Sequence, residues 1–280
     1  MSDLKRTVAF VLGGGGHAGA AEVGMLHALL EREIRPDLVV GTSVGALHGA
    51  MVAVDPTVAA VEKLEAAWAE LGELGVLGSS WLTDAASLLR TRTHVRSNEP
   101  LRRAAGRLLG VETFEELTVP FQCVAACIER FAEHWFSSGP LVEAILASSA
   151  VPGILPPVEI GGEHFIDGGI VNSIPIDRAV FLGADEVYVM HAGRIDQPLS
   201  VPKRLRDVGL VAFEVARRHR FVRELAGVPP SVAVHVLPIG DPKPPRFNDL
   251  SQLRYRDFRA VDRRIAYAYA ATSEYLDART

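Results

Sequence analysis

Ser43 is the residue whose surroundings point most directly to chemistry. It sits in Gly41-Thr42-Ser43-Val44-Gly45, a G-x-S-x-G pentapeptide between an apolar run at 38–41 and a small, apolar stretch at 44–54. A serine on a sharp strand-to-helix turn with small neighbours projects its hydroxyl into a cleft, and the helix that follows turns its positive end towards the reacting centre. That is the setting of an acyl-transfer nucleophile, although a Gly-Ser turn can also be a plain helix cap. A second glycine-rich element, Gly14-Gly15-Gly16-His17-Ala18-Gly19, follows the apolar run 7–12 and opens a helical pattern. Its spacing matches the dinucleotide fingerprint G-x-G-x-x-G, which also demands a carboxylate at the far end of the second strand. The nearest acid, Asp37, lies at the beginning of that strand, so the nucleotide-binding oxidoreductase reading fails there. No Gly-Lys-Ser/Thr follows the glycines, which removes a P-loop. In a parallel sheet the loop and Ser43 would flank one crevice. The unhindered amides of Gly14, Gly15 and Gly16 could then serve as donors to the oxyanion of a tetrahedral intermediate.

A serine nucleophile needs a general base within hydrogen-bond reach. Asp167 follows the strand-like run 164–166 and precedes Gly168 and Gly169, where the backbone can approach another segment closely. Taken alone it also reads as an ordinary turn aspartate. His191, His219 and His235 come after it, in the serine–acid–histidine order of an α/β-hydrolase triad, and His191 is best placed, just past a strand at 186–190. Against the triad, the elbow of that fold follows several strands, whereas this one follows the second. His27 and His48 lie on helical stretches and are expected to be packed or solvated.

The elements that must position these residues read as an alternation. Strands are expected at 7–12, 38–41, 122–128, 134–137, 164–166, 186–191 and 232–237, and helices at 18–33, 44–54, 141–149, 176–181, 204–226 and 257–276. Strands alternating with helices predict an α/β fold around a largely parallel sheet. Residues 56–117 are helical in character and least legible, and a lid or helical cap over the site is the expectation there. The segment 203–223 is basic, with Leu205, Val208, Val211, Val215 and Phe221 at helical spacing. It is expected to pack those apolar groups on the domain and expose a basic face, although the pattern could also lie on an anionic membrane.

Together the motifs resemble the patatin-like phospholipase family, whose pattern is Gly-Gly-Gly-x-Arg/Lys-Gly, then Gly-x-Ser-x-Gly, then Asp-Gly-Gly/Ala. The matching residues are 14–19, 41–45 and 167–169, with 147–152, Pro156, Pro157 and 172–175 also similar. The resemblance covers roughly 8–189, and it implies one patatin-like domain over 1–280 with a three-layer α/β/α fold. A C-terminal region of helices and a strand, 200–280, lies beyond it. It further implies a Ser43–Asp167 dyad, a glycine-loop oxyanion hole, no cofactor and no metal. The substrate would be a phospholipid, lysophospholipid or related acyl lipid. One departure is Ala18, where the family usually carries Arg or Lys. That motivates an alternative, a weak or inactive lipid-binding regulatory domain, beside the Ser–His–Asp esterase.

Composition is compatible with this. The 280 residues are 48% hydrophobic and 22% charged, enough for a substantial core, and the net charge of −5 gives no general attraction to nucleic acid. Residues 1–12 do not read as a signal peptide, and no run approaches the roughly 20 apolar residues of a membrane span. A cytoplasmic location with transient membrane-surface contact is expected, and the oligomeric state is left open. The two cysteines, Cys123 and Cys127, fall four apart in one strand, about 13 Å, too far for a disulfide. They are expected to be reduced core thiols.

Overall fold

The computed structural model describes residues 6–73, 93–193, 195, 198–242 and 258–279. Its centre is a sheet whose hydrogen-bonded path runs β5-β6-β3-β2-β1-β7-β8, with β4 on the other edge of β3. The strands are β1 (Val8–Leu12), β2 (Leu38–Thr42), β3 (Phe121–Cys127), β4 (Ala132–Phe136), β5 (Val158–Ile160), β6 (Glu163–Asp167), β7 (Glu186–Met190) and β8 (Ala233–Val236). From β3 through β8 the neighbours on this path run parallel, while β4, β5 and β6 add antiparallel pairings at one end. The mostly parallel sheet expected from the alternation is therefore present. Its central strands are continuously apolar because both faces are covered. Phe10 and Leu12 point into one core and Ala9 and Val11 into the other.

The helices are α1 (Ala20–Glu31), α2 (Val44–Val54), α3 (Val58–Glu73), α4 (Glu99–Leu109), α5 (Leu141–Ser148), α6 (Ile176–Phe181), α7 (Leu205–Ala226) and α8 (Phe258–Asp277). The larger core joins one face of the sheet to α1, α2, α3, α4, α5 and α8, and the smaller core joins the other face to α6 and to Phe221 of α7. This is the expected three-layer α/β/α arrangement. Within 56–117, α3 bonds to the first layer through Trp68 Nε1–H to His48 and through Glu65 with His27. These parts of the expected cap are thus members of the helical layer, and residues 74–92 lie outside the described residues. Cys123 and Cys127 are buried and unpaired, as read from their spacing, and burial pushes the Cys123 thiol well up.

Candidate functional site

Strand register brings the two candidate residues together. Cys123 of β3 pairs with Gly41 of β2 and with Phe136 of β4, so those two strands lie on opposite edges of β3. Ala125 of β3 pairs with His134 of β4 and with Asp167 of β6. Hence β2 and β6 share one edge of β3 and run towards each other along it. One stops at Thr42, opposite Val124, and the other at Asp167, opposite Ala125. The residue after Thr42 is Ser43, which therefore abuts Asp167 although 124 positions separate them in sequence. Such a head-on meeting requires close backbone approach. A Cβ on Gly168 would stand 2.1 Å from the Val124 carbonyl oxygen, and one on Gly45 would stand 2.5 Å from that of Leu12.

Ser43 adopts φ 55 and ψ −122, a backbone conformation costly for a residue with a side chain. Its N–H donates to Ser148 Oγ at 2.9 Å and its carbonyl accepts the Ala46 N–H at 2.9 Å. Next to it, Thr42 Oγ1 donates to the Asn172 carbonyl at 2.9 Å. These bonds hold the elbow in place. The Ser43 hydroxyl then donates to Asp167 Oδ2 at 2.7 Å, and Asp167 Oδ1 accepts the Gly169 N–H at 2.7 Å. Both side chains are buried. Burial raises the Asp167 carboxyl to about 6, against the opposing pull of the bonds from Ser43 and Gly169.

The glycine loop lies beside this pair, since a Cβ on Gly14 would meet the Ser43 Cβ at 3.4 Å. The loop is tied down by Gly13 N–H to the Met190 carbonyl at 3.0 Å and by Gly14 N–H to the Ser173 carbonyl at 2.8 Å. The Gly14 amide is thus engaged in fixing the loop. Among the described residues, no protein acceptor takes the amides of Gly15 or Gly16. Ser148 and Ser173 were not legible as participants. Their only signal was that they fall within or next to stretches flanking Asp167 that resemble the family.

The histidines fall elsewhere. Ser43 Oγ bonds straight to Asp167 without an imidazole between them. His191 is buried just past β7, His219 is exposed on α7, and His235 on β8 bonds to Glu186 and Tyr275. His48 is packed, as expected of a helical histidine, but against Glu22 and Trp68. Asp37, the acid nearest to a nucleotide reading, sits at the opposite end of β2 and accepts the Val8 N–H. Ala18 is buried. Among the described residues no group of three or more His, Cys, Asp or Glu side chains could hold a metal ion.

The family model described as patatin-like phospholipase matches residues 10–180. The chain belongs to the patatin-like phospholipase family. Among curated relatives of this family, a lysophospholipase nte1 of Aspergillus terreus is 31% identical over 191 residues, 68% of this chain and 12% of that protein. A patatin-like phospholipase domain-containing protein of Caenorhabditis elegans is 32% identical over 192 residues, 68% of this chain and 14% of that protein. The chain thus spans a small part of the length of these relatives. Among solved structures, VipD from Legionella pneumophila aligns over 98% of this chain and 67% of that one, at 14% identity and a TM-score of 0.45.

Proposed function

We propose that this patatin-like chain is a serine acyl hydrolase of phospholipids, lysophospholipids or related acyl lipids, with Ser43 as nucleophile and Asp167 as base. The observation that carries the reading is the 2.7 Å hydrogen bond from the Ser43 hydroxyl to Asp167, made at a positive-φ elbow beside a glycine loop. As Oγ attacks the ester carbonyl carbon, its proton passes to Asp167 and the carbonyl electrons move onto the oxygen. The amides of Gly15 and Gly16 are the donors available to that oxyanion, while Gly14 brings the loop against the serine. Collapse of the intermediate breaks the bond to the alcohol, which leaves with the proton from Asp167. Water then gives a proton to Asp167 and attacks the acyl-serine. The second collapse releases the fatty acid and returns the proton to Ser43. A carboxyl raised towards neutrality by burial is a stronger base than an ordinary aspartate, which suits this task. The names of the relatives support the substrate class. Among the described residues no helix is long and apolar enough to cross a membrane.

The test is intact-mass spectrometry after a fluorophosphonate probe, on wild type, Ser43→Ala and Asp167→Asn. One adduct is expected on wild type, none on Ser43→Ala, and labelling slowed by about a hundredfold or more on Asp167→Asn. Full-rate labelling of Asp167→Asn would return the base to His191. A wild type that takes no adduct would favour the lipid-binding, inactive alternative that Ala18 motivates.

A further inference from the structure

The helix α7 is built inside out. Its inward side carries charge, with Asp207 4% and Arg217 8% exposed, and with Glu214, Arg218 and Glu224 partly buried beside them. Glu214 is held by Arg217 and Arg218, and Glu224 by Arg220. Outward, Val208, Val215 and Val222 are 50%, 53% and 59% exposed. With exposed Ala212, His219 and Ala226 they recur at steps of three and four along one side of the helix. The sequence expectation that Val208 and Val215 pack on the domain is therefore corrected. Of Val208, Val211, Val215 and Phe221, Phe221 alone is fully buried. The reason is that the inner positions are taken by ion pairs. A helix selected for packing alone would turn its valines to the sheet and its charges to water, because desolvated charge is costly and exposed apolar area forgoes burial.

This helix borders the site. On the same helix the Phe213 ring lies 3.6 Å from where a Gly169 Cβ would be, and Gly169 is the residue whose amide holds Asp167. Phe213 and Ile170, the residue after Gly169, are 40% and 42% exposed. Arg220 clamps the helix to the loop beyond Asp167 by bonding the Val171 carbonyl, Glu133 and Asp177. At the ends of the stripe, Lys203, Arg204 and Arg223 are exposed, a local basic border on a chain of net charge −5.

We propose that the outer stripe of α7, with Phe213 and Ile170, is the surface that seats this chain on an anionic lipid bilayer beside the mouth of the Ser43 site. Valines bordered by cations match the boundary between acyl chains and anionic headgroups. A second copy fits less well, because cations at both ends of the stripe match anionic headgroups and would face one another's like charge across many self-pairings. The proposal rests on the acyl-lipid reading for its purpose, but the docking itself needs no turnover.

The experiment is cosedimentation of the full chain with phosphatidylcholine vesicles, with and without phosphatidylglycerol, alongside fluorophosphonate labelling and sedimentation velocity. Wild type should bind the mixed vesicles. The pair Val215→Asp and Val222→Asp should weaken binding by about tenfold or more, and Lys203→Glu with Arg204→Glu should erase the preference for phosphatidylglycerol. Val208→Asp gives an independent check at the other end of the stripe. All variants should keep the wild-type melting temperature and labelling rate. Vesicle binding absent in wild type, or unchanged in both valine variants, would overturn the docking surface and leave the hydrolase reading standing. A wild-type dimer that the valine variants split, with vesicle binding unaltered, would also overturn it. Vesicle binding that depends on the valines in a chain that takes no adduct would support the surface and sink the hydrolase reading instead.

Discussion

At the scale of single residues, the site turns on how much a buried aspartate is made to hold a proton. Asp167 is lifted to about 6 by burial, and the two bonds it accepts limit the rise. In the proposed mechanism the base form is the ionised one, so activity should be full above that value and fall as pH drops through it. We expect kcat/KM for a soluble ester to lose about tenfold per pH unit below about pH 6. A profile flat down to pH 4.5, or a midpoint near 7 that moves in His191→Gln, would give the base role to another group. Residue identity was legible here, since the G-x-S-x-G turn and the Asp-Gly-Gly run each carry a backbone demand that few other residues meet. Which amides face the crevice was not legible. Gly14, Gly15 and Gly16 are equivalent as letters, and only the fold shows that Gly14 N–H is spent on Ser173. Ser148 was invisible for a similar reason, because a helical serine announces nothing about the backbone amide it will meet 105 positions away.

At the scale of elements, what supports the elbow is a buried polar contact between three helices. Trp68 Nε1–H of α3 donates to His48 Nε2 of α2 at 3.1 Å, so the imidazole proton is on Nδ1, 2.8 Å from Glu22 Oε2 of α1. Burial pushes Glu22 well up, partly offset by the Gly13 amide, and pushes His48 well down, so burial favours the neutral form of each. If both stay neutral in the folded state, the pH dependence of stability follows from the unfolded chain. The unfolded chain ionises glutamate near 4.3 and histidine near 6.5. Below about 4.3 the unfolded state holds the extra proton, on histidine, and stability falls with acidification. Between the two values the protons taken up and released cancel. Above about 6.5 the folded state keeps a glutamate proton that the unfolded state has lost, so stability falls as pH rises. Urea unfolding should therefore show a loss from this pair approaching about 1.4 kcal/mol per pH unit above pH 6.5, absent in Glu22→Gln. Equal slopes in both proteins would mean that Glu22 ionises in the folded state. Elements were legible in the sequence where one force dominated. The central strands announced themselves because both faces are buried, and α2 and α6 ended where expected. Strand β5 was missed, since three residues after Pro156 and Pro157 offer no periodicity. The helix at 205–226 was placed correctly and its facing was not, because spacing reveals a stripe but not what the stripe faces.

At the scale of the whole molecule, the family match and the folding unit have different limits. The family model ends at residue 180, yet the sheet does not. The strand β7 lies between β1 and β8, paired along its full length with β1, and the Met190 carbonyl at its end anchors Gly13 and with it the glycine loop. Beyond that, β8 covers the edge of β7, and Phe221 of α7 fills the smaller core. The helix α8 packs on α1, with Val261 and Ala268 buried and Arg32 bonded to Asp277 and Ser273. A chain cut at residue 180 would leave β1 with an unpaired edge and expose the apolar flank of α1. It would also free the loop that faces Ser43, although every motif residue would still be present. We expect such a truncation to show little near-UV circular dichroism, to bind a hydrophobic dye and to melt without a cooperative transition. The 280-residue chain should melt in one transition seen alike by far- and near-UV signals. A truncated chain that melted cooperatively near the full-length temperature would show that β7 and β8 are accessories to the sheet. A full chain with two separated transitions would divide the folding unit, and the glycine loop would then belong to whichever part retained β7.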